Sequence, residues 1–109
     1  MKPTVYVTQE NQTFDFTQAE DFGEVVFLTA KELSSMPNSL MNANVVSEVW
    51  DNLWSFDSEQ DFLLPVGSPL VSGLAFFLLG RNTTARNIKV LKWSNRDRNY
   101  KPYIIPIQG

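Results

Sequence analysis

The sequence predicts a single small α/β domain built on a mainly parallel sheet. Runs of β-branched and aromatic residues alternate with two segments of helical periodicity, and the chain closes on two strand-like runs joined by a short polar turn. Strands that alternate with helices favour parallel pairing through right-handed crossovers. The closing pair favours an antiparallel hairpin, which makes the sheet mixed. We therefore expect one domain over residues 1–109, with about five strands and two main helices.

The first half of the chain predicts two strands and one helix. Residues 4–8 and 24–29 are the strands, and the acidic stretch between them is interpreted as a surface loop held by its aromatic side chains. The helix is expected over residues 39–54, with Asn38 as its N-cap because it follows Pro37. Its apolar residues recur at three- and four-residue spacing and predict one buried face: Leu40, Ala43, Val46, Trp50, Leu53 and Trp54.

The second half begins with a strand, a turn and a helix. Residues 61–66 form a short apolar run, typical of a strand that is covered on both faces. Ser68 is the expected N-cap of a helix over residues 69–81, which is apolar nearly all round and so is expected in the core. The small residues Ser72 and Gly73 are expected to let this helix approach the sheet closely.

The last two predicted strands form the hairpin. They cover residues 88–94 and 99–107, with a polar turn at residues 95–98. Pro102 and Pro106 lack a backbone N–H, so the final strand is expected at an edge of the sheet.

The composition excludes several kinds of chemistry. The chain has no cysteine and no histidine, so disulfides, zinc–thiolate sites and mechanisms that use either side chain are ruled out. A metal would need ligands that are all oxygen, and the acidic residues lack the spacing of a calcium loop. We therefore expect a protein that is not an enzyme, with no catalytic residues, no cofactor and no metal.

Residues 62–80 carry no charge and approach the length of a membrane-spanning helix. Pro65 and the turn at residues 67–69 interrupt any helix in the first third of this segment. The first residues also lack the apolar run of a secretion signal. The expectation is a cytoplasmic protein that does not cross a membrane.

Charge is distributed very unevenly along the chain. Residues 1–61 contain 11 acidic and 2 basic residues, whereas residues 62–109 contain 7 basic and 1 acidic residue. Such asymmetry indicates a partner surface, unless the two regions neutralise each other or face water. Two acidic groups are expected to be solvated, with mimicry of nucleic-acid phosphates as the alternative: Glu20, Asp21 and Glu24, and Asp57, Glu59 and Asp61.

The hairpin is the first candidate binding site, because basic and aromatic residues alternate along it. Such a surface binds an acidic protein groove or, as an alternative, a nucleic-acid backbone and its bases. A sequence pI near 4.8 argues against a dedicated nucleic-acid binder. The competing interpretation is a solvated hairpin whose aromatic residues pack on the core. The candidate partner-binding residues are Lys89, Lys92, Trp93, Arg96, Arg98, Tyr100 and Lys101.

The turn between the third strand and the second helix is an alternative site. Gly67, Ser68 and Pro69 place a helix N-terminus beyond the carboxyl end of a strand, where anions and nucleotides bind in open α/β sheets. The turn matches neither the phosphate-binding loop of nucleotide hydrolases nor a dinucleotide fingerprint. The competing interpretation is an ordinary capped helix.

Several short motifs carry a family resemblance. They are Leu-Leu-Pro-Val-Gly-Ser-Pro at residues 63–69, Leu-Lys-Trp at 91–93, Arg96, and Tyr-Lys-Pro at 100–102. In these motifs the chain resembles a family of short proteins encoded by tailed bacteriophages, including T7-like podophages. That family usually has Asp at the position of Ser68, a change that preserves an N-cap but not an acid.

The resemblance implies a phage origin and expression in a bacterial cytoplasm. Small early phage proteins commonly bind and inhibit host machinery. The leading hypothesis is therefore a non-catalytic accessory protein that binds a host protein, for example RNA polymerase or a defence component. The alternatives are an anion or nucleotide binder that uses the turn at residues 67–69, and a nucleic-acid binder that uses the hairpin.

Overall fold

The computed structural model describes residues 2–82 and 85–107. These residues form five strands, two α-helices and one short 3₁₀ helix. The strands are β1 (Thr4–Val7), β2 (Glu24–Phe27), β3 (Phe62–Leu64), β4 (Asn87–Ser94) and β5 (Asn99–Pro106). The helices are the 3₁₀ helix (Thr17–Asp21), α1 (Leu40–Leu53) and α2 (Pro69–Asn82).

The strands form one mixed sheet in the order β2-β1-β3-β4-β5. All neighbours pair in parallel except β4 and β5, which form the antiparallel hairpin. The predicted fold class is therefore confirmed, and β5 lies at an edge of the sheet as its prolines indicated.

The sheet separates two apolar cores. On one face, Tyr6, Leu63 and Ile88 pack against buried residues of α1 and α2. On the other face, Val5 and Leu91 pack with the 3₁₀ helix and the loop that leads into it. The three layers follow from the strand order. The connection from β1 to β2 moves along the sheet in one direction, and the connections from β2 to β3 and from β3 to β4 move in the other. Because crossovers between parallel strands are right-handed, connections in opposite directions lie on opposite faces of the sheet.

The buried face of α1 differs from the predicted one. Val45, Val49 and Leu53 face the core, whereas Leu40 is 82% exposed and Trp54 is 68% exposed. The helix has apolar residues on more than one side, so a period of 3.6 fits two faces equally well. Only packing against the sheet selected between them. The expectation that both tryptophans lie in the core is therefore wrong for Trp54.

The N-cap of α1 is Ser39 and not Asn38. The Ser39 side chain accepts a hydrogen bond from the backbone N–H of Asn42, at 3.3 Å. Asn38 instead adopts a left-handed conformation, with φ at 57°. Asparagine tolerates this conformation better than most residues, so Asn38 turns the chain and Ser39 caps the helix.

Helix α2 is less deeply buried than its composition predicts. Val71 and Ala75 face the core, but Leu70 and Phe77 are exposed. Ser72 lies close to the sheet, as expected, with its hydroxyl 3.2 Å from that of Thr8. Gly73 does not, because a Cβ atom added there would have no neighbour within 4 Å.

The expectation of solvated acids is wrong for Asp61, which is buried. Its carboxylate accepts hydrogen bonds from the backbone N–H of Thr4, at 2.9 Å, and of Asp57, at 2.8 Å. Asp61 therefore joins the start of β1 to the segment before β3. Burial, and then the charge of Asp61, raise the pKa of the nearby Tyr6.

Candidate functional site

The hairpin extends beyond the parallel part of the sheet. Strand β3 ends at Leu64 and pairs with β4 only at Leu63 and Val90. The last residues of β4 and the first residues of β5 therefore pair only with each other, up to the turn between Ser94 and Asn99. We call residues 92–101 the hairpin tip.

Opposite faces of the hairpin tip carry different chemistry. Lys92 is paired with Lys101, and Trp93 is paired with Tyr100. Because successive strand residues point to opposite faces, one face carries two lysines and the other carries two aromatic rings. The rings of Trp93 and Tyr100 meet edge to face, with their centroids 5.1 Å apart.

Most of the positive charge at the tip is unpaired. The tip has four cations and one carboxylate, Asp97, and so a net charge of +3. Asp97 forms an ion pair with Lys101 at 2.7 Å, and the hydrogen bond between them lowers the pKa of Asp97 and raises that of Lys101. Within residues 2–82 and 85–107, the side chains of Lys92, Arg96 and Arg98 form no hydrogen bond or ion pair.

Arg98 adopts an unusual backbone conformation. Its φ of 51° lies in the left-handed region, where a residue with a Cβ is less stable than glycine. Glycine or asparagine would close this turn with less strain. Arginine at this position adds a fourth cation to the tip at a local cost in stability.

Two of the seven predicted partner-binding residues serve the fold. Lys89 donates to the backbone carbonyl of Glu59 at 2.5 Å and lies over the ring of Phe62, 5.7 Å from its centroid. Tyr100 is buried, and burial raises the pKa of its hydroxyl. The other five are exposed at the hairpin tip: Lys92, Trp93, Arg96, Arg98 and Lys101.

A pocket of about 390 Å³ lies against the aromatic face of the hairpin tip. It is lined by Thr13, Phe14, Asp15, Val66, Trp93, Asn95 and Tyr100. The loops after β1, β3 and β4 meet here, beyond the carboxyl ends of these three parallel strands, which is where ligands bind in open α/β folds. Sequence reasoning missed the three residues from the loop after β1, because that loop has no periodicity that would show where it folds.

The outer edge of the hairpin is closed to strand addition by its prolines. The N–H of Ile107 donates to the carbonyl of Arg86, at 2.8 Å, so the inward-pointing N–H groups belong to odd-numbered residues of β5. Pro102 and Pro106 occupy outward positions, where a strand loses no hydrogen bond to its neighbour.

The remaining outward N–H groups of β5 belong to Tyr100 and Ile104. The N–H of Tyr100 is taken by the side chain of Asn99, at 2.8 Å. The edge therefore offers a partner little backbone to pair with. Any binding at the hairpin must use its side chains.

The turn at Gly67 and Ser68 is occupied by the protein's own side chains. The N–H of Ser68 donates to the amide oxygen of Gln9 at 2.7 Å, and Gly67 has the left-handed φ of 84° that this approach requires. Glu32 lies beside them: hydrogen bonds from the N–H of Leu33, then Ser68, lower the pKa of its carboxyl. These contacts support an ordinary capped helix, and anion binding at Gly67, Ser68 and Pro69 stays a prediction.

The capping role of Ser68 is testable. Its hydroxyl oxygen accepts from the N–H of Leu70 at 3.2 Å, so Ser68→Ala is expected to cost about 1 kcal/mol of unfolding free energy. It should also raise the pKa of Glu32, which loses a hydrogen bond. Urea denaturation measures the first effect and a carboxyl titration by NMR the second. Ser47→Ala, on the exposed face of α1, is the control, and equal stability of both variants would contradict the cap.

These features define the class of protein: a small three-layer α/β domain that presents a cationic hairpin tip at one edge of its sheet. A family model described as "Phage Pam3 gp32-like protein" matches residues 3–107, and the chain belongs to this family. The phage origin expected from the resemblance is thereby confirmed, while the motifs that suggested it remain untested. No curated protein and no solved structure matches the chain.

None of the helices among residues 2–82 and 85–107 has the length and apolar character needed to cross a membrane. No group of three or more acidic side chains in the same residues is placed to hold a metal ion.

Proposed function

We propose that this phage protein binds an acidic surface of a host protein through its hairpin tip, and inhibits or modulates that partner without catalysis. The host cytoplasm is the proposed site of action, and RNA polymerase or a defence component is the proposed kind of partner. One observation carries the proposal: Lys92, Arg96 and Arg98 are exposed cations with no side-chain partner among the described residues.

The tip includes two arrangements that cost stability within the fold. Lys92 lies directly opposite Lys101, and like charges in such a pair repel each other. Arg98 occupies a left-handed position, where glycine would be less strained. Lys101 has its ion pair with Asp97, but the side chains of Lys92 and Arg98 form no hydrogen bond or ion pair within the described residues. A role in binding therefore accounts for these two cations better than a structural role does.

An acidic protein surface suits these cations. The two guanidinium groups can each bind a carboxylate through two parallel hydrogen bonds, and the lysines add point charges beside them. Long-range attraction between the +3 tip and an acidic patch accelerates encounter and orients the two proteins. The partner would then lose access to its own acidic surface, which is inhibition by occlusion.

Nucleic acid is the second candidate, since Trp93 is 40% exposed beside two arginines. Exposed aromatic rings next to cations stack bases in single-strand binding proteins. The carboxylate of Asp15 lines the pocket beside the tip and repels phosphates and protein carboxylates alike, so it does not separate the two candidates. Nucleic acid has less support than a protein partner because domains dedicated to nucleic acid are basic overall, whereas this chain has a net charge of −3.

A pull-down from host lysate, with and without nuclease, tests the proposal. The expected result is one dominant protein whose recovery does not change with nuclease and falls as salt is raised, because salt screens the attraction. Recovery of many proteins that disappear after nuclease treatment would instead support the nucleic-acid candidate. A dominant partner retained equally at low and high salt would contradict binding through the cationic tip.

A further inference from the structure

The pocket beside the hairpin tip has apolar walls that are open to solvent. Phe14 is 50% exposed and Trp93 is 40% exposed, and both border the pocket together with Val66 and the buried Tyr100. Its volume of about 390 Å³ lies within the range of sites that hold small organic groups. Binding of an apolar group in an exposed aromatic pocket of this kind is favourable, because it removes apolar surface from water.

Three of the side chains that line the pocket already have hydrogen-bond partners within the protein. The indole N–H of Trp93 donates to the side-chain oxygen of Asn95 at 3.0 Å. The hydroxyl of Thr13 donates to Asn11 at 2.6 Å. One carboxylate oxygen of Asp15 accepts both the N–H and the hydroxyl of Thr17. The indole N–H of Trp93 and the hydroxyl proton of Thr13 are therefore not available to a polar occupant.

This pairing decides between two occupants. A nucleobase carries several donors and acceptors on its edges, and leaving them without partners in an apolar pocket costs free energy. The hydrogen bonds from Thr17 lower the pKa of Asp15, and its carboxylate repels a phosphate and an acidic side chain alike, so this charge does not separate the two occupants. An apolar side chain has no edge groups that need hydrogen bonds, and this favours it over a nucleobase.

We infer that the pocket receives one aromatic or aliphatic side chain of the partner, from a segment whose flanking residues are acidic. The acidic flanks follow from charge complementarity, because Asn95 lines the pocket and the next residue, Arg96, begins the cationic turn. This inference rests on the proposed function and names the kind of segment that the hairpin tip recognises. Anchors of this kind, in apolar pockets with a charged rim, dominate many protein interfaces.

Two synthetic peptides test the inference. The first consists of glutamates and aspartates around one central phenylalanine, and the second has alanine in place of the phenylalanine. Binding is followed by NMR at the indole N–H groups of the three tryptophans, with Trp93 assigned from the signal missing in Trp93→Phe. We expect the Trp93 signal to shift and the phenylalanine peptide to bind roughly tenfold more tightly than the alanine peptide.

Variants separate the pocket from the charges. Phe14→Ala removes an exposed wall and is expected to abolish most of the difference between the peptides, whereas Trp54→Ala removes an exposed ring outside the pocket and should preserve it. Arg96→Glu with Arg98→Glu should weaken both peptides. Because these side chains are at least half exposed or without internal partners, the fold is expected to survive each change.

The outcomes distinguish the two proposals. Equal binding of the peptides, with both lost in the arginine variant, would overturn the anchor pocket and leave the cationic tip standing. If the arginine variant binds the peptides as tightly as the parent protein does, the proposed function and the inference that rests on it are overturned. A Trp93 shift with single-stranded oligothymidylate but with neither peptide would assign the pocket to nucleic acid. No shift with either peptide at millimolar concentration would also overturn the inference.

Discussion

Reversing the charge of Arg96 and Arg98 to Glu is expected to slow association with the host partner by about ten- to a hundredfold at low salt. The change converts a tip of charge +3 into one of −1, since each substitution removes two units. An acidic partner surface then repels the tip that it previously attracted. Because charges at the rim of an interface act mainly on encounter, the association rate should fall more than the dissociation rate rises.

The same change should leave the fold intact. Neither arginine side chain has a hydrogen bond or ion pair within the described residues, and both lie in an exposed turn. Substitutions at such positions change the unfolding free energy by about 0.5 kcal/mol or less. Thermal melting and circular dichroism would verify this before any binding is compared.

The matched control is Lys31→Glu with Arg81→Glu. Both residues are exposed and lie outside the hairpin, and the net charge of the chain changes by the same amount. Surface plasmon resonance across a range of salt concentrations should show a large loss and a flatter salt dependence for the hairpin variant only. If both variants slow association equally, net charge rather than the tip attracts the partner. If neither does, the acidic half of the chain becomes the candidate interface.

The largest effect on stability is expected for Gly23→Ala. A Cβ atom at this position would lie 2.7 Å from the carbonyl carbon of Pro3, and closer still to its oxygen. The neighbouring N–H of Glu24 donates to that same carbonyl at 2.9 Å, which begins the pairing of β1 with β2. Backbone atoms cannot rotate away as a side chain can, so the start of both strands must shift. We expect a loss of roughly 2 to 3 kcal/mol.

Gly73→Ala is the control for that experiment. A Cβ at this exposed position of α2 meets nothing within 4 Å, and alanine stabilises a helix by about 0.5–1 kcal/mol relative to glycine. The two substitutions should therefore move the melting temperature in opposite directions, with Gly23→Ala lowering it by about 10 °C or more. If the Gly23→Ala and Gly73→Ala variants melt at the same temperature, the starts of β1 and β2 can move apart without loss of stability, and the prediction is wrong.

The order and type of the main elements were predictable because they depend on local rules. Alternation of strand-like and helical segments led to a parallel sheet, and the two prolines of the last segment led to an edge strand. Ser68 was predicted as a cap from its neighbours alone, and its side chain bonds the N–H of Leu70. Such features require information only from residues a few positions apart.

Features that involve distant residues were not predictable in the same way. The apolar residues of α1 fit two faces, and the sheet selected the one that contains Val45 and Val49. The sequence predicted a solvated acid at Asp61. In the structure Asp61 is buried and accepts a hydrogen bond from the N–H of Thr4, which is 57 residues away along the chain. In both cases the deciding partner lies far along the chain.

For the candidate site, the sequence by itself determined the cationic hairpin, its exposed turn and the aromatic pair Trp93 and Tyr100. Only the tertiary structure decided that Lys89 and Tyr100 serve the fold, and that Phe14 and Asp15 complete a pocket beside the tip. The reason is geometric. A hairpin is formed by neighbours in sequence, whereas a pocket at the edge of a parallel sheet is formed by loops that meet only after the crossovers have placed their strands side by side.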